Sequence, residues 1–296
     1  MTIERIAMIG AGSIGGPIAE RLIETGHRLM ICDPSEQVRA HFKRLGCEVT
    51  SRAQDCATAP AIIAMVANDQ QLMDALSGPA GLLSGLDPNT PVSLVIMSTV
   101  LPDTIKAVAG LCAGHNVSLI DAPVSGGSVK ARRGELSIMV GGGEADIARV
   151  RPILASVASN VFHCGELGSG ETTKILNNLV GVTNLFLFAE TMRIAQALGM
   201  DLQRLTKIME QSSGRNAGTR NWVDRKALFA WNSKDEQTAQ SVVRVTQKDL
   251  RNALALQEET GVRTSLLRAI VEAHQHTSFE HVLETWGALA SDQNAK

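Results

Sequence analysis

The feature that most constrains this chain is Gly10-Ala11-Gly12-Ser13-Ile14-Gly15, set between the apolar run Ile6–Ile9 and a helical pattern carried by Ile18, Leu22 and Ile23. In such a strand–turn–helix the first glycine permits the tight turn and the second lets the backbone approach a pyrophosphate. The third lets the helix pack closely on its strand, with the phosphates at the helix N-terminus. Asp33 follows the next apolar run, Leu29–Cys32, near the spacing of roughly 20 residues at which an acid meets a ribose. A glycine-rich turn used only for packing is the competing reading, and this context argues against it. The turn is therefore read as dinucleotide-binding. A carboxylate at Asp33 accepts ribose hydroxyls but repels a 2′-phosphate. Pro34-Ser35-Glu36 supplies no nearby arginine to capture that phosphate, so NAD is expected over NADP.

Further apolar runs at Ala61–Val66, Val92–Met97, Val117–Ile120, Leu136–Val140 and Val161–His163 are short and bounded by Gly, Pro, Asp or Ser, as buried strands are. Helical spacing lies between them. This alternation predicts an α/β Rossmann domain over residues 1–164, with a mostly parallel, doubly wound sheet covered on both faces. From Thr172 to Ala197 the pattern turns helical, with Ile175, Leu179, Val182, Phe186 and Ala189 at three- to four-residue steps before Gly199. Further helical patterns at about 202–211, 238–260 and 264–275 predict an all-α domain over residues 165–296, joined by the long helix.

A length of 296 residues suits two such domains. The 28 basic and 30 acidic side chains leave a net charge of −2, no field to hold nucleic acid, and the absence of Tyr argues against stacking on bases. The five cysteines form no CxxC pair, which points to a reducing compartment and a cytoplasmic setting. Met1–Ile6 carries a single basic residue and no sustained apolar run, so a secretory signal is not expected. No stretch is read as approaching the roughly 18–20 apolar residues of a membrane span. The seven histidines lack metal-ligand spacing and are read as surface residues, with no metal.

Three other segments carry chemistry. In Asp121-Ala122-Pro123-Val124-Ser125-Gly126-Gly127 two glycines follow a serine, giving either a backbone seat for a carboxylate or an ordinary turn. Gly168-Ser169-Gly170-Glu171-Thr172-Thr173-Lys174 leads into the long helix, where Lys174 and Asn178 are neighbours on one face. The apolar neighbourhood would desolvate Lys174 and suit it to acid–base work; a solvated lysine on an outer face is the alternative. Lys248-Asp249, within a helical pattern, reads locally as an exposed ion pair.

Taken in order, these segments resemble the β-hydroxyacid dehydrogenase family, which includes 3-hydroxyisobutyrate dehydrogenase, tartronate semialdehyde reductase, threonate dehydrogenase and shorter relatives of 6-phosphogluconate dehydrogenase. The likeness runs from Ile6 to about Ala273 and rests most on the DAPVSGG segment, with Gly134-Glu135-Leu136 and Gly141-Gly142, and on GxGxxxKxxNN. The resemblance implies Lys174 as catalytic acid/base, Asn178 as substrate-orienting, and Ser125, Gly126 and Gly127 as holding the substrate carboxylate. It also implies Lys248 reaching cofactor and substrate, Val66, Ala67 and Thr99 on the nicotinamide side, and a homodimer or homotetramer formed through the helical domain. Ile14 stands where Met is usual, and Ala67-Asn68-Asp69 replaces a Leu-Pro-rich turn. Arg215 and Arg220 are extra cations near the expected cleft, read as a solvated loop ahead of an anion-binding role. The expected activity is NAD-linked oxidation of a small 3-hydroxy acid (3-hydroxyisobutyrate, glycerate, threonate or serine-like), or reduction of its oxo form. Imine-reducing relatives, which usually lack the lysine, and a non-catalytic NAD-sensing module are the alternatives.

Overall fold

The computed structural model describes residues 5–291, so the expectations for Met1–Glu4 lie outside the described residues. Its first part alternates β1 (Arg5–Ile9), α1 (Gly15–Glu24), β2 (Arg28–Cys32), α2 (Glu36–Arg44), β3 (Glu48–Thr50), β4 (Ala61–Ala64), α3 (Asp69–Ser77), β5 (Val92–Ile96), α4 (Pro102–Cys112) and β6 (Val117–Asp121). It continues with β7 (Val124–Ser125), α5 (Gly127–Arg133), β8 (Leu136–Gly141), α6 (Glu144–Val157) and β9 (Ala158–Gly165). The strands form one sheet in the order β3-β2-β1-β4-β5-β6-β8-β7, with β9 on β8.

From β3 to β6 every pairing is parallel; β8 runs antiparallel to β6 and β7, and β9 parallel to β8. The order reverses beside β1, and in such sheets ligands sit beyond the strand C-termini at that reversal. Successive residues serve opposite cores. Ile6 and Met8 pack with Ile18, Leu22 and Ile31, while Ala7 and Ile9 pack with Ile62, Ala64 and Ile96. Both faces are thus covered, which is why these strands read as continuous apolar runs. β3 and the two-residue β7 carry no such run and are additions to the sequence reading.

Helix α7 (Ser169–Ala197) is followed by α8 (Leu202–Glu210), α9 (Trp222–Asn232), α10 (Glu236–Thr260), α11 (Ser265–Gln275) and α12 (Phe279–Ala290), with no strand among these described residues. Of these, α9 and α12 were not foreseen. Side chains of Asp201, Asn221, Asp235 and Ser278 cap the starts of α8, α9, α10 and α12. The chain divides into two compact units between Lys174 and Ile175, inside α7 rather than ahead of it at 164/165.

Two expectations are corrected in the helical unit. By length and composition α7 does qualify as a membrane-crossing segment. Its exposed apolar side chains, however, form a stripe, Leu176, Val180, Leu187 and Ile194, at steps of four and seven residues. Lipid demands an apolar surface all round; a one-sided stripe matches a protein surface. Second, His274 is no surface residue: it is 7% exposed, its Nε2 lies 2.8 Å from Thr246 Oγ1, and its ring meets Phe186 edge-on at 4.4 Å. Phe186 and Phe229 each stand 5.2 Å from the buried Trp286, completing this aromatic core.

Burial, with a smaller contribution from His281, holds the His274 pKa below its ordinary value of 6.5. Because the folded state resists the proton that the unfolded state accepts, this stability is fully present above pH 6.5 and is lost as pH falls through the lowered folded value. Thermal melts from pH 8 to pH 5 are expected to show a steeper acid-side loss for the native chain than for His274→Gln; identical slopes would remove His274 as the source.

Candidate active site

Gly10 adopts φ +89, and a Cβ there would stand 2.3 Å from Met65 O; a Cβ on Gly15 would stand 2.3 Å from Gly10 O. Neither position admits a side chain, so the turn is drawn tight between β1 and β4. A Cβ on Gly12 would meet nothing within 4 Å, so its outer side is open. The start of α1, at Ile14, has no side-chain cap and no acid in its first turn. The positive end of its dipole is thereby left to an external anion, and the turn fits a pyrophosphate. Asp33, 7% exposed, accepts the Ala11 N–H at 2.9 Å and the Ser35 N–H at 2.9 Å. One carboxylate thus joins the glycine turn to the end of β2.

The expectation of no nearby arginine is corrected here. Arg39, on α2, folds back so that its Nη1 donates to the carbonyls of Asp33 at 2.6 Å and Pro34 at 2.8 Å. Pro34-Ser35-Glu36 carries no arginine, but one helical turn returns residue 39 to the loop.

The nicotinamide-side segments named by resemblance form one braced wall. Ser98, fully buried, accepts the Val66 N–H at 2.7 Å. Asn68 caps α3 by accepting the Gln71 N–H at 2.9 Å, and Gln71 accepts the Ala67 N–H at 3.0 Å. Asp69 accepts the Leu101 N–H at 2.9 Å and the Thr104 hydroxyl at 2.6 Å. The unusual Ala67-Asn68-Asp69 turn therefore fastens the loop after β4 to the loop after β5, and half-buried Thr99 lies within the second loop.

At the end of β6, Asp121 is fully buried and accepts the Gly168 N–H at 2.7 Å and the Glu171 N–H at 2.8 Å. Burial pushes its carboxyl above the usual carboxylate range, while the N–H groups of Gly168, Glu171, Asp121 itself and Gly170 pull it back. The first turn of α7 is thus held by the sheet, and that turn leads to Lys174, which is 6% exposed. The outer-face alternative for this lysine is set aside. Beyond Asp121, Ser125 ends β7, and Gly126 and Gly127 take φ +141 and +72, which bare the backbone at the start of α5.

In the helical unit, Asn178 Nδ2 donates to Asp249 Oδ2 at 2.8 Å, and Lys248 Nζ lies 3.7 Å from Asp249 Oδ1. Asp249 is 7% exposed, so the reading of Lys248-Asp249 as an exposed pair is corrected. Arg215 is exposed and paired with Glu210 at 3.0 Å, and Arg220 is exposed. Among the described residues no cluster of three potential metal ligands occurs. Sequence reasoning assigned no role to Asp121, Asp69, Ser98 or Glu171. The available signal was a charge ending an apolar strand in Asp121 and a second acid inside the GSGETTK segment.

The glycine turn at the uncapped start of α1, with Asp33 at the end of β2, fits a dinucleotide. Residues 5–165 match the NAD binding domain of 6-phosphogluconate dehydrogenase, and residues 168–283 match the family described as NAD-binding of NADP-dependent 3-hydroxyisobutyrate dehydrogenase. The chain is 32% identical to 3-hydroxyisobutyrate dehydrogenase of Pseudomonas aeruginosa, over 93% of this chain and 94% of that one. It is 36% identical to the mitochondrial 3-hydroxyisobutyrate dehydrogenase of Rattus norvegicus, over 71% of this chain and 62% of the rat protein. The solved 3-hydroxyisobutyrate dehydrogenase of Mycobacterium tuberculosis with L-serine superposes with a TM-score of 0.80 at 25% identity, covering 96% of this chain and 99% of that one. The chain belongs to the β-hydroxyacid dehydrogenase family, as an NAD(P)-binding hydroxyacid dehydrogenase.

Replacing Asp121 by Asn turns one acceptor into a donor facing a buried N–H. The expected loss is about 1–3 kcal/mol of stability, read as a lower urea midpoint; an unchanged midpoint would show that the carboxylate does not hold the helix start.

Proposed function

We propose that this protein interconverts a small 3-hydroxy acid and its oxo form with NAD, using Lys174 as the acid/base. The observation that carries this reading is the burial of Lys174 on a helix turn anchored by Asp121, in the same compact unit as a glycine turn that fits a pyrophosphate. The relatives named for 3-hydroxyisobutyrate support the substrate class. So does the L-serine of the tuberculosis enzyme, a small carboxylate with a 3-hydroxyl. Bound nicotinamide dinucleotide supplies the hydride acceptor or donor.

Lys174 takes the hydroxyl proton during oxidation and returns it to the alkoxide during reduction, assistance typically worth about 10²–10⁴ in rate. Ser125 with the Gly126 and Gly127 backbone binds the substrate carboxylate, and Lys248 adds a cation toward cofactor and substrate. Asn178 orients the reacting carbon, its amide fixed by Asp249. Gly10 through Gly15 hold the pyrophosphate, and Val66, Ala67 and Thr99 line the nicotinamide side. The Asp33 carboxylate disfavours a 2′-phosphate, which supports NAD over NADP.

The test follows reduced-nicotinamide absorbance with NAD or NADP against a panel of 3-hydroxy acids. Expected are a kcat/KM at least tenfold higher with NAD and a fall of about a hundredfold or more in Lys174→Ala. Turnover that survives the substitution would remove Lys174 from its role, and equal use of NADP would remove Asp33 as the selector.

We also propose that the α7 stripe seats a second copy of this chain, giving a homodimer or homotetramer. Leu176 to Ile194 extends about 27 Å along the helix, and a stripe of one kind is complementary to itself about a two-fold axis. Sedimentation velocity is expected to show an oligomer that Ile194→Glu dissociates; a monomeric native chain would overturn the proposal.

A further inference from the structure

Glu171, the acid in the first turn of α7, is fully buried. Its Oε2 accepts the N–H of Val100, a residue 71 positions earlier, at 3.2 Å. Val100 is itself fully buried, in the loop between β5 and α4 that carries Thr99. Other fastenings of that loop include the Val66 N–H donating to Ser98 Oγ and the Leu101 N–H donating to Asp69. Both run to the strand β4 side of the site. The Glu171 bond alone among these three runs to α7, and it lands one helical turn before Lys174.

We propose that Glu171 is a positioning residue that sets the spacing between the Thr99 loop and the turn bearing Lys174. A hydrocarbon side chain could fill the same volume, but it would leave the buried Val100 N–H without this acceptor. The loop would then lose this bond to the turn that bears Lys174. The pyrophosphate and ribose are held by the glycine turn and Asp33, and the Thr99 loop meets only the nicotinamide end, so loosening that loop changes dinucleotide affinity little. Misplacing the acid/base by a fraction of a residue's width lowers the rate of proton transfer without releasing the cofactor. The inference rests on the roles given above to Lys174 and Thr99.

The experiment compares the native chain with Glu171→Ala and Glu171→Gln. The amide of glutamine retains an oxygen that can accept from Val100, whereas alanine removes it. Glu171→Ala is expected to lower kcat tenfold to a hundredfold, while the dissociation constant of NADH, read by nicotinamide fluorescence, changes less than threefold. Glu171→Gln is expected to recover most of kcat. Hydrogen–deuterium exchange of residues 98–104 is expected to accelerate in Glu171→Ala and to return toward native in Glu171→Gln. A native kcat in the alanine variant, an equal loss in both variants, or a parallel loss of NADH affinity would each overturn the proposal. The exchange arm needs no substrate. If no hydroxy acid is turned over by the native chain, the proposed function fails, while unchanged exchange in Glu171→Ala still refutes the positioning bond by itself. Should Glu171→Ala not fold, Glu171→Leu, which fills the volume without an acceptor, takes its place with the same expectations.

Discussion

The carboxylate of Asp121 is the point on which the N-terminal unit is organised. It stands at the end of β6 and collects the N–H groups of Gly168 and Glu171 at the start of α7. Helix starts carry partial positive charge and unsatisfied donors, so a buried acid there is stabilised rather than isolated. The same carboxylate explains nearby glycines. A Cβ on Gly141 would come within 2.3 Å of its Oδ1, and one on Gly170 within 2.8 Å of its Oδ2. Three sequence segments that look like separate motifs, around residues 121, 141 and 170, are therefore one packed object. Their spacing along the chain follows from strands β6 and β8 lying side by side, with Asp121 opposite Gly141.

This arrangement divides two helix starts between two tasks. The α1 start has neither side-chain cap nor acid and is left to take an anion from outside. The α7 start already receives its anion from Asp121, so it has no such capacity left and serves instead to place Lys174. A phosphate directed at the wrong helix would meet a carboxylate rather than free donors. Electrostatics within one unit therefore separates the cofactor's phosphates from the acid/base.

The elements legible in sequence were those whose signal is local. Strands β1, β4, β5 and β8 are almost wholly buried and β2 and β6 partly so, and all announce themselves as apolar runs, while α7, α8, α10 and α11 carry clear helical spacing. β3 is a half-exposed edge strand of three residues, and β7 has only two, so neither leaves a periodic trace. The roles of Asp121 and Glu171 were illegible because they depend on partners about 50 and 71 residues distant. The contact of Arg39 is local, but it forms only once α2 winds residue 39 back over the carbonyls of Asp33 and Pro34. His274 looked ordinary because nothing in its neighbours reveals that Thr246 and Phe186 enclose it.

Composition misjudges α7 in an instructive way. Over an 18-residue stretch the helix is apolar enough for a bilayer, yet charged and amide side chains, Glu171, Lys174, Asn177, Asn178, Asn184, Glu190, Arg193 and Gln196, recur throughout it. What distinguishes the two readings is direction rather than content. Leu176, Val180, Leu187 and Ile194 share a stripe, whereas Ile175, Phe186, Ala189 and Met192 are buried. The helix therefore has two apolar faces with different occupants, one satisfied by its own chain and one left outward. Its first turn is fixed by Asp121 whatever covers the outward stripe, so the placement of Lys174 and the proposed association of copies draw on separate contacts of a single element.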